Sequence, residues 1–133
     1  MNRLRQIIER RRLKKLSKEN VKPFTFEHQT VTALICDVYD GDTITAIIGL
    51  HRTYYKFKIR LFGIDTPEIR TKDPEEKRRG YQARDFVRKH ILDEIVTIEC
   101  FPFDKYGRIL GNVWHNGVCI NELLLNNGMA RKY

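Results

Sequence analysis

The sequence predicts a mainly β protein with helices, α+β in class, and three observations carry that expectation. Short segments before residue 62 and after residue 95 are rich in β-branched and apolar residues, several in strict alternation with polar ones. Between these two blocks, one segment repeats its apolar residues at the three and four spacing of a helix. Asp40-Gly41 and Asn116-Gly117 supply hairpin turn signals between neighbouring strand segments.

Taken in order, residues 3–18 have helix-favouring composition, which the segment 23–29, opened by Pro23, interrupts. Residues 1–29 are therefore expected to form a basic N-terminal helical arm and linker, and residues 30–133 the domain. Segments 30–39 and 43–48 read as strands joined by a two-residue turn at Asp40-Gly41. In the third strand, 54–62, Tyr55, Phe57, Ile59 and Leu61 alternate with Lys56, Lys58 and Arg60, giving one apolar and one cationic face. Asp73-Pro74-Glu75-Glu76 reads as an N-cap, a proline at the first helical position and a capping-box acid. The helix they open should run to about residue 92, with Ala83, Phe86, Val87, His90 and Ile91 facing the core. Segments 96–101 and 108–120 supply further strands, the second folding at Asn116-Gly117, and 122–127 is a short helix ended by Gly128. This order is that of a five-stranded Greek-key barrel of the OB type, with a helix between strands three and four and a short C-terminal helix.

The length, 133 residues, suits one domain and so one site. The net charge of +8 points to a polyanionic partner, and it is concentrated. Residues 1–22 hold nine Lys or Arg against Glu9 and Glu19, whereas the rest has sixteen bases against fifteen acids. Leu4, Ile7 and Ile8 share a helical face, but that face continues into Arg11, Arg12 and Lys15. The arm is therefore expected to add electrostatic affinity for nucleic acid instead of completing the core. No apolar run is long enough to span a membrane and no secretory signal pattern is present, so an intracellular protein is expected. Cys36, Cys100 and Cys119 lie in apolar strand-like segments without paired spacing and read as buried reduced thiols. His51, His90 and His115 read as loop, core-helix and hairpin residues.

Unusual chemistry is concentrated in four segments: Asp40-Gly41-Asp42-Thr43, Arg60 through Asp65-Thr66-Pro67-Glu68, Asp104-Lys105-Tyr106-Gly107-Arg108, and Asn121-Glu122. Phosphodiester hydrolysis needs an activated water, positive charge to offset the negative charge growing on phosphoryl oxygens, and donors shaped to hold them. Asp42, Asp65 and Glu68 can supply hard oxygen ligands and a base, and Arg60 and Arg108 can clamp phosphate. Each segment alone reads as an ordinary turn or a solvated strand face. Together, at strand ends on a barrel rim, they can converge on one cleft.

From about Val31 to the C-terminus, these motifs and the segment 121–130 resemble the thermonuclease, or staphylococcal nuclease-like, family in order and spacing. The resemblance implies a calcium-dependent endonuclease with little preference between DNA and RNA, leaving 3′-phosphate and 5′-hydroxyl ends. Single-stranded or unpaired substrate and a monomer are expected. By motif position, Asp42, Asp65 and the Thr66 carbonyl would ligate Ca2+, with Glu68 as general base or positioner of the attacking water. Arg60 and Arg108 would hold the scissile phosphate, and Lys105 and Tyr106 a neighbouring one. The arm lies outside the shared pattern. A non-catalytic nucleic-acid-binding or scaffold module of the same fold is the alternative; its signature would be loss of one of the acids or arginines, and all are present. A partner-protein adaptor would leave that constellation unused.

Overall fold

The computed structural model describes residues 2–133. In chain order it comprises α1 (Arg3–Leu13), β1 (Thr30–Val38), β2 (Thr43–Leu50), β3 (Thr53–Leu61), β4 (Ile64–Asp65) and α2 (Pro74–Ile91). β5 (Ile95–Phe103), β6 (Ile109–His115), β7 (Val118–Cys119), α3 (Ile120–Asn126) and β8 (Arg131–Lys132) follow. The main sheet runs β3-β2-β1-β5-β6-β7, and a parallel pairing of β3 with β6 closes its five long strands into a barrel. This is the expected OB-type arrangement, with α2 between the third and fourth long strands.

The strand alternation explains the core. Ile44, Ala46 and Ile48 of β2 and Ile59 and Leu61 of β3 point inward, with Ile98, Ile109 and Val113 from the other side, all nearly inaccessible to water. Helix α2 closes one end with Ala83, Val87 and Ile91, while Phe86 and His90 are only half-buried. Each fully buried Val or Ile contributes roughly 1.5–3 kcal/mol. Asp73 caps α2 by accepting from the Glu75 and Glu76 amides, and Pro74 occupies the first turn, as the sequence implies. The Asp73 amide, however, bonds to the Thr71 hydroxyl at 3.2 Å, where a full capping box would have used Glu76.

Several expectations change on this background. The arm helix ends at Leu13, and residues 14–20 form turns in which Asn20 accepts from the Ser17 amide, so local side-chain bonding stops the helix. Cys36 is half-buried because it is the extra residue of a bulge in β1, between Ile35 and Asp37. Cys100 and Cys119 are buried free thiols, and burial pushes Cys100 up to about 11. The Asn116-Gly117 turn has positive φ at both residues, as a two-residue hairpin requires. Asp40-Gly41 does not form such a turn, since β1 and β2 are joined by residues 39–42 and Gly41 is not in the positive-φ region. Its glycine is needed for a tertiary reason: a Cβ there would lie 2.8 Å from Ala83 of α2 and from the Thr66 methyl.

Asn121 is a structural clamp. Buried at the start of α3, it accepts from the Val113 amide and donates to the carbonyls of Phe62 and Gly111, stitching the end of β3 to β6. Among the described residues, no helix is long and apolar enough to cross a membrane.

Candidate active site

A cleft of about 820 Å³ opens on the barrel rim, where the β1–β2 connection, the end of β3 and the loop before β6 come together. Asp42, Arg60, Asp65, Glu68, Lys105, Tyr106 and Arg108 all line it. Thr66 is the exception among the eight residues given a role from sequence: it is buried and lines a neighbouring cavity of about 450 Å³ that shares Asp65 and Glu68 with the cleft, and Asn121 and Glu122 line neither.

The floor is built around Arg60. One guanidinium nitrogen donates to the carbonyls of Leu61 and Ile64, both at 2.9 Å, so the side chain curls back onto the turn that follows its own strand. The other lies 3.3 Å from Asp42 and 3.4 Å from Asp65. Asp42 also accepts from the Thr66 amide at 3.0 Å, which fastens the β1–β2 connection to the segment after β4. The second oxygen of Asp65 receives both Nη2 and Nε of Arg131, at 3.0 and 3.2 Å, because β8 pairs antiparallel with β4. Charge-assisted bonds of this kind fix geometry in a way that a solvated strand-face arginine lacks.

Asp40 lies beside this floor. Its carboxylate accepts from the amides of Asp42 and Thr43 at 3.1 and 2.8 Å, a local Asx-type arrangement. Burial, followed by the charge of Asp42, raises it to about 7. The sequence presents Asp40 only as a turn residue; its spacing of two from Asp42 is the signal that a second acid is present. Glu68 is exposed, lines both cavities, and has no hydrogen-bonding or ion-pair partner among the described residues. The backbone carrying it is fixed by Gly80 of α2, where a Cβ would lie 2.8 Å from the carbonyls of Pro67 and Glu68. That close approach of helix to loop is invisible in the sequence.

The opposite wall is the loop 104–108. Asp104 accepts from the amides of Tyr106 and Arg108 and ion-pairs with Arg108 Nε at 2.6 Å. Burial would push Asp104 up, but those bonds and the Arg108 charge together hold it below the usual carboxylate range. The Arg108 guanidinium and the Lys105 ammonium stand 5.3 and 5.1 Å from the Tyr106 ring centre. The outer nitrogens of Arg108 have no partner among the described residues, leaving one edge of its fork facing the cleft.

Hard carboxylate oxygens on one floor, together with a buried Thr66 hydroxyl that has no hydrogen-bond partner among the described residues, fit an oxygen-ligated divalent cation in donor chemistry. Among the described residues, no three His, Cys, Asp or Glu side chains stand close enough together to hold a metal. Their present partners are Arg60 and Arg131, from which Asp42 and Asp65 would have to turn.

Residues 58–133 match the model of a family described as staphylococcal nuclease homologue. Over 100 residues the chain is 35% identical to a thermonuclease of Staphylococcus intermedius, covering 74% of the chain and 57% of that relative. It is 32% identical over 102 residues to a thermonuclease of Staphylococcus hyicus, covering 75% of the chain and 58% of the relative. An uncharacterized endonuclease of Escherichia coli is 32% identical over 97 residues, 72% of the chain and 57% of the relative. The chain thus spans less than two thirds of the length of these relatives.

Proposed function

Because the chain belongs to the staphylococcal nuclease homologue family, we propose that its cleft hydrolyses phosphodiester bonds in DNA and RNA as a calcium-dependent endonuclease, leaving 3′-phosphate and 5′-hydroxyl ends. The observation that carries this reading is the convergence of Asp42, Arg60, Asp65, Glu68 and Arg108, from separate chain segments, on one cleft. Single-stranded or unpaired substrate acted on by a monomer completes it.

In this reading Asp42, Asp65 and the Thr66 carbonyl would hold Ca2+, which would supply Lewis-acid stabilisation of negative charge on the phosphoryl oxygens. Glu68, without a hydrogen-bond or ion-pair partner among the described residues, takes a proton from the attacking water or orients it. The water oxygen bonds to phosphorus, the bond between phosphorus and the 5′-oxygen breaks, and that oxygen leaves as an alcohol by taking a proton from a solvent water. Arg60, already fixed by two carbonyls, presents charge to the equatorial oxygens without reorganising. Arg108 offers the free edge of its fork to the same phosphate, and Lys105 and Tyr106 hold the next one.

Incubating the protein with plasmid and with RNA, in calcium and in excess chelator, tests the reading. Cleavage of both in calcium alone is expected, with ends that require phosphatase before 3′ extension. Cleavage undiminished by chelator, or none under either condition, overturns it. Glu68→Gln should slow turnover with an unchanged melting temperature.

A further inference from the structure

We propose that the N-terminal arm is a second nucleic-acid contact, rooted beside the cleft so that one polynucleotide strand engages both. This rests on the reading of the cleft as a nucleic-acid site. Every residue from 2 to 24 is exposed, and α1 buries none of its side chains. Nine bases against Glu9 and Glu19 are displayed over this length, and among the described residues none of the nine is ion-paired. A helix of eleven residues with no packed face, carrying unneutralised cations along about 16 Å, is a surface for a polyanion.

An anionic membrane is the competing polyanion, and the wheel disfavours it. Each helical residue turns about 100°. Leu4, Ile7 and Ile8 therefore share a stripe that Arg11 enters, while Leu13 turns to the opposite side. An interfacial helix needs an apolar face that persists, and this one lasts about two turns.

The root of the arm supplies the second observation. Phe26 is buried, 5.2 Å from Phe57 and 6.4 Å from Phe103 between ring centres, and Phe24 packs edge-on against it at 4.9 Å. Phe103 is the last residue of β5 and leads directly into the loop 104–108, whose Asp104, Lys105, Tyr106 and Arg108 line the cleft. Backbone bonds between His28 or Gln29 and Cys100 fix the exit point against β5. The cationic arm thus leaves the barrel next to the wall that bears Lys105, Tyr106 and Arg108. A strand held in the cleft and running past that wall meets the arm at high effective concentration, without the arm touching the reacting phosphate.

The arm should therefore strengthen binding of long strands and leave the chemical step unchanged. The test uses the full chain carrying Arg10→Gln, Arg11→Gln and Arg12→Gln together, and separately Lys14→Gln with Lys15→Gln. Binding to a long single-stranded oligonucleotide and to a pentanucleotide is measured in chelator across a range of salt. For the long strand, the slope of log affinity against log salt should become shallower by about 0.7 for each phosphate the arm no longer neutralises, and so by up to about 2 for the triple variant. Pentanucleotide binding and melting temperature should not change. An unchanged slope on the long strand overturns the proposal, as does equal weakening on the pentanucleotide. Arm-dependent binding to phosphatidylserine vesicles with an unaffected long-strand slope would assign the arm to membranes and overturn it too. An arm-dependent slope in a protein that cleaves nothing in calcium would leave the arm proposal standing and remove the hydrolase reading, so the two failures are distinguishable.

Discussion

The two walls of the cleft are built on opposite principles. The floor is non-local: Asp42 reaches the Thr66 amide, Arg60 spans Asp42 and Asp65, and Asp65 meets Arg131 from the last strand. The loop opposite is local, since Asp104 organises Tyr106 and Arg108 within five residues and its bonds stay inside that segment. Its two arginines reflect this, Arg60 being 13% exposed with four acceptors and Arg108 27% exposed with one carboxylate. A residue in the floor therefore serves fold and chemistry together, while one in the loop can be altered for chemistry alone.

The largest expected effect tests this division directly. Arg60→Lys and Arg108→Lys should each lower kcat by about 100-fold, because lysine keeps the charge but loses the planar fork where transition-state charge grows. Only Arg60→Lys should also lower Tm, since Asp42, Asp65 and two carbonyls lose their shared donor, at a cost of about 1–3 kcal/mol. Steady-state kinetics with thermal melts check it. Equal Tm changes would erase the distinction between the walls.

A smaller effect separates the walls by pH. Asp40 in the floor is raised from 3.8 to about 7 by burial and by Asp42. Between those values the folded protein binds a proton that the unfolded chain has released, so stability falls as pH rises from about 4 to 7 and stays low above it. The loss is on the order of a few kcal/mol at most. Asp104 in the loop is lowered, so its stabilisation is present above the unfolded value and disappears only in acid. Urea melts at pH 5 and 8 in chelator should show wild type losing more stability on going to pH 8 than Asp40→Asn, which keeps the oxygen that caps the turn. Parallel behaviour of the two proteins would rule out Asp40 as the source.

The smallest effect concerns the Arg131–Asp65 pair. Arg131 is 80% exposed, so breaking the pair should cost under about 1 kcal/mol. Because Arg131 and a cation would compete for one Asp65 oxygen, Arg131→Gln should tighten calcium binding a few-fold, as measured by calorimetry on the nucleic-acid-free protein. Weakened binding would make Arg131 a support for the ligand instead of its rival.

What could be read from the sequence follows the same local and non-local division. Asp73-Pro74 and Asn116-Gly117 were readable because a cap and a two-residue turn are made within a few residues. The barrel followed from strand alternation and element order. The eight residues singled out for the site were legible through motif resemblance; spacing alone could not have joined Asp42 to Thr66 across the fold. Gly41 and Gly80 were opaque because each is required by another element approaching it in space. Asn121 stands out in the sequence as part of the Asn121-Glu122 segment, but its role as a clamp depends on a burial that no local pattern announces. Arg131 leaves no mark because its ion pair is with a distant strand, and Asp40 shows in the sequence only by its spacing of two from Asp42, since its burial is set by the fold.

The parallel pairing of β3 with β6 has a bearing on the cell that makes this protein. Ile59 pairs with Ile109 and Arg60 with Leu110, so the seam that closes the barrel also brings the strand end carrying Arg60 beside the segment that carries Arg108. Pairings so distant in sequence form late, after the entropy of closing the intervening loop has been overcome. A nascent or partly folded chain holds its acids and its second arginine apart. On the proposed function, competence to cut would arrive only with the finished barrel, and a chain still on the ribosome would lack it.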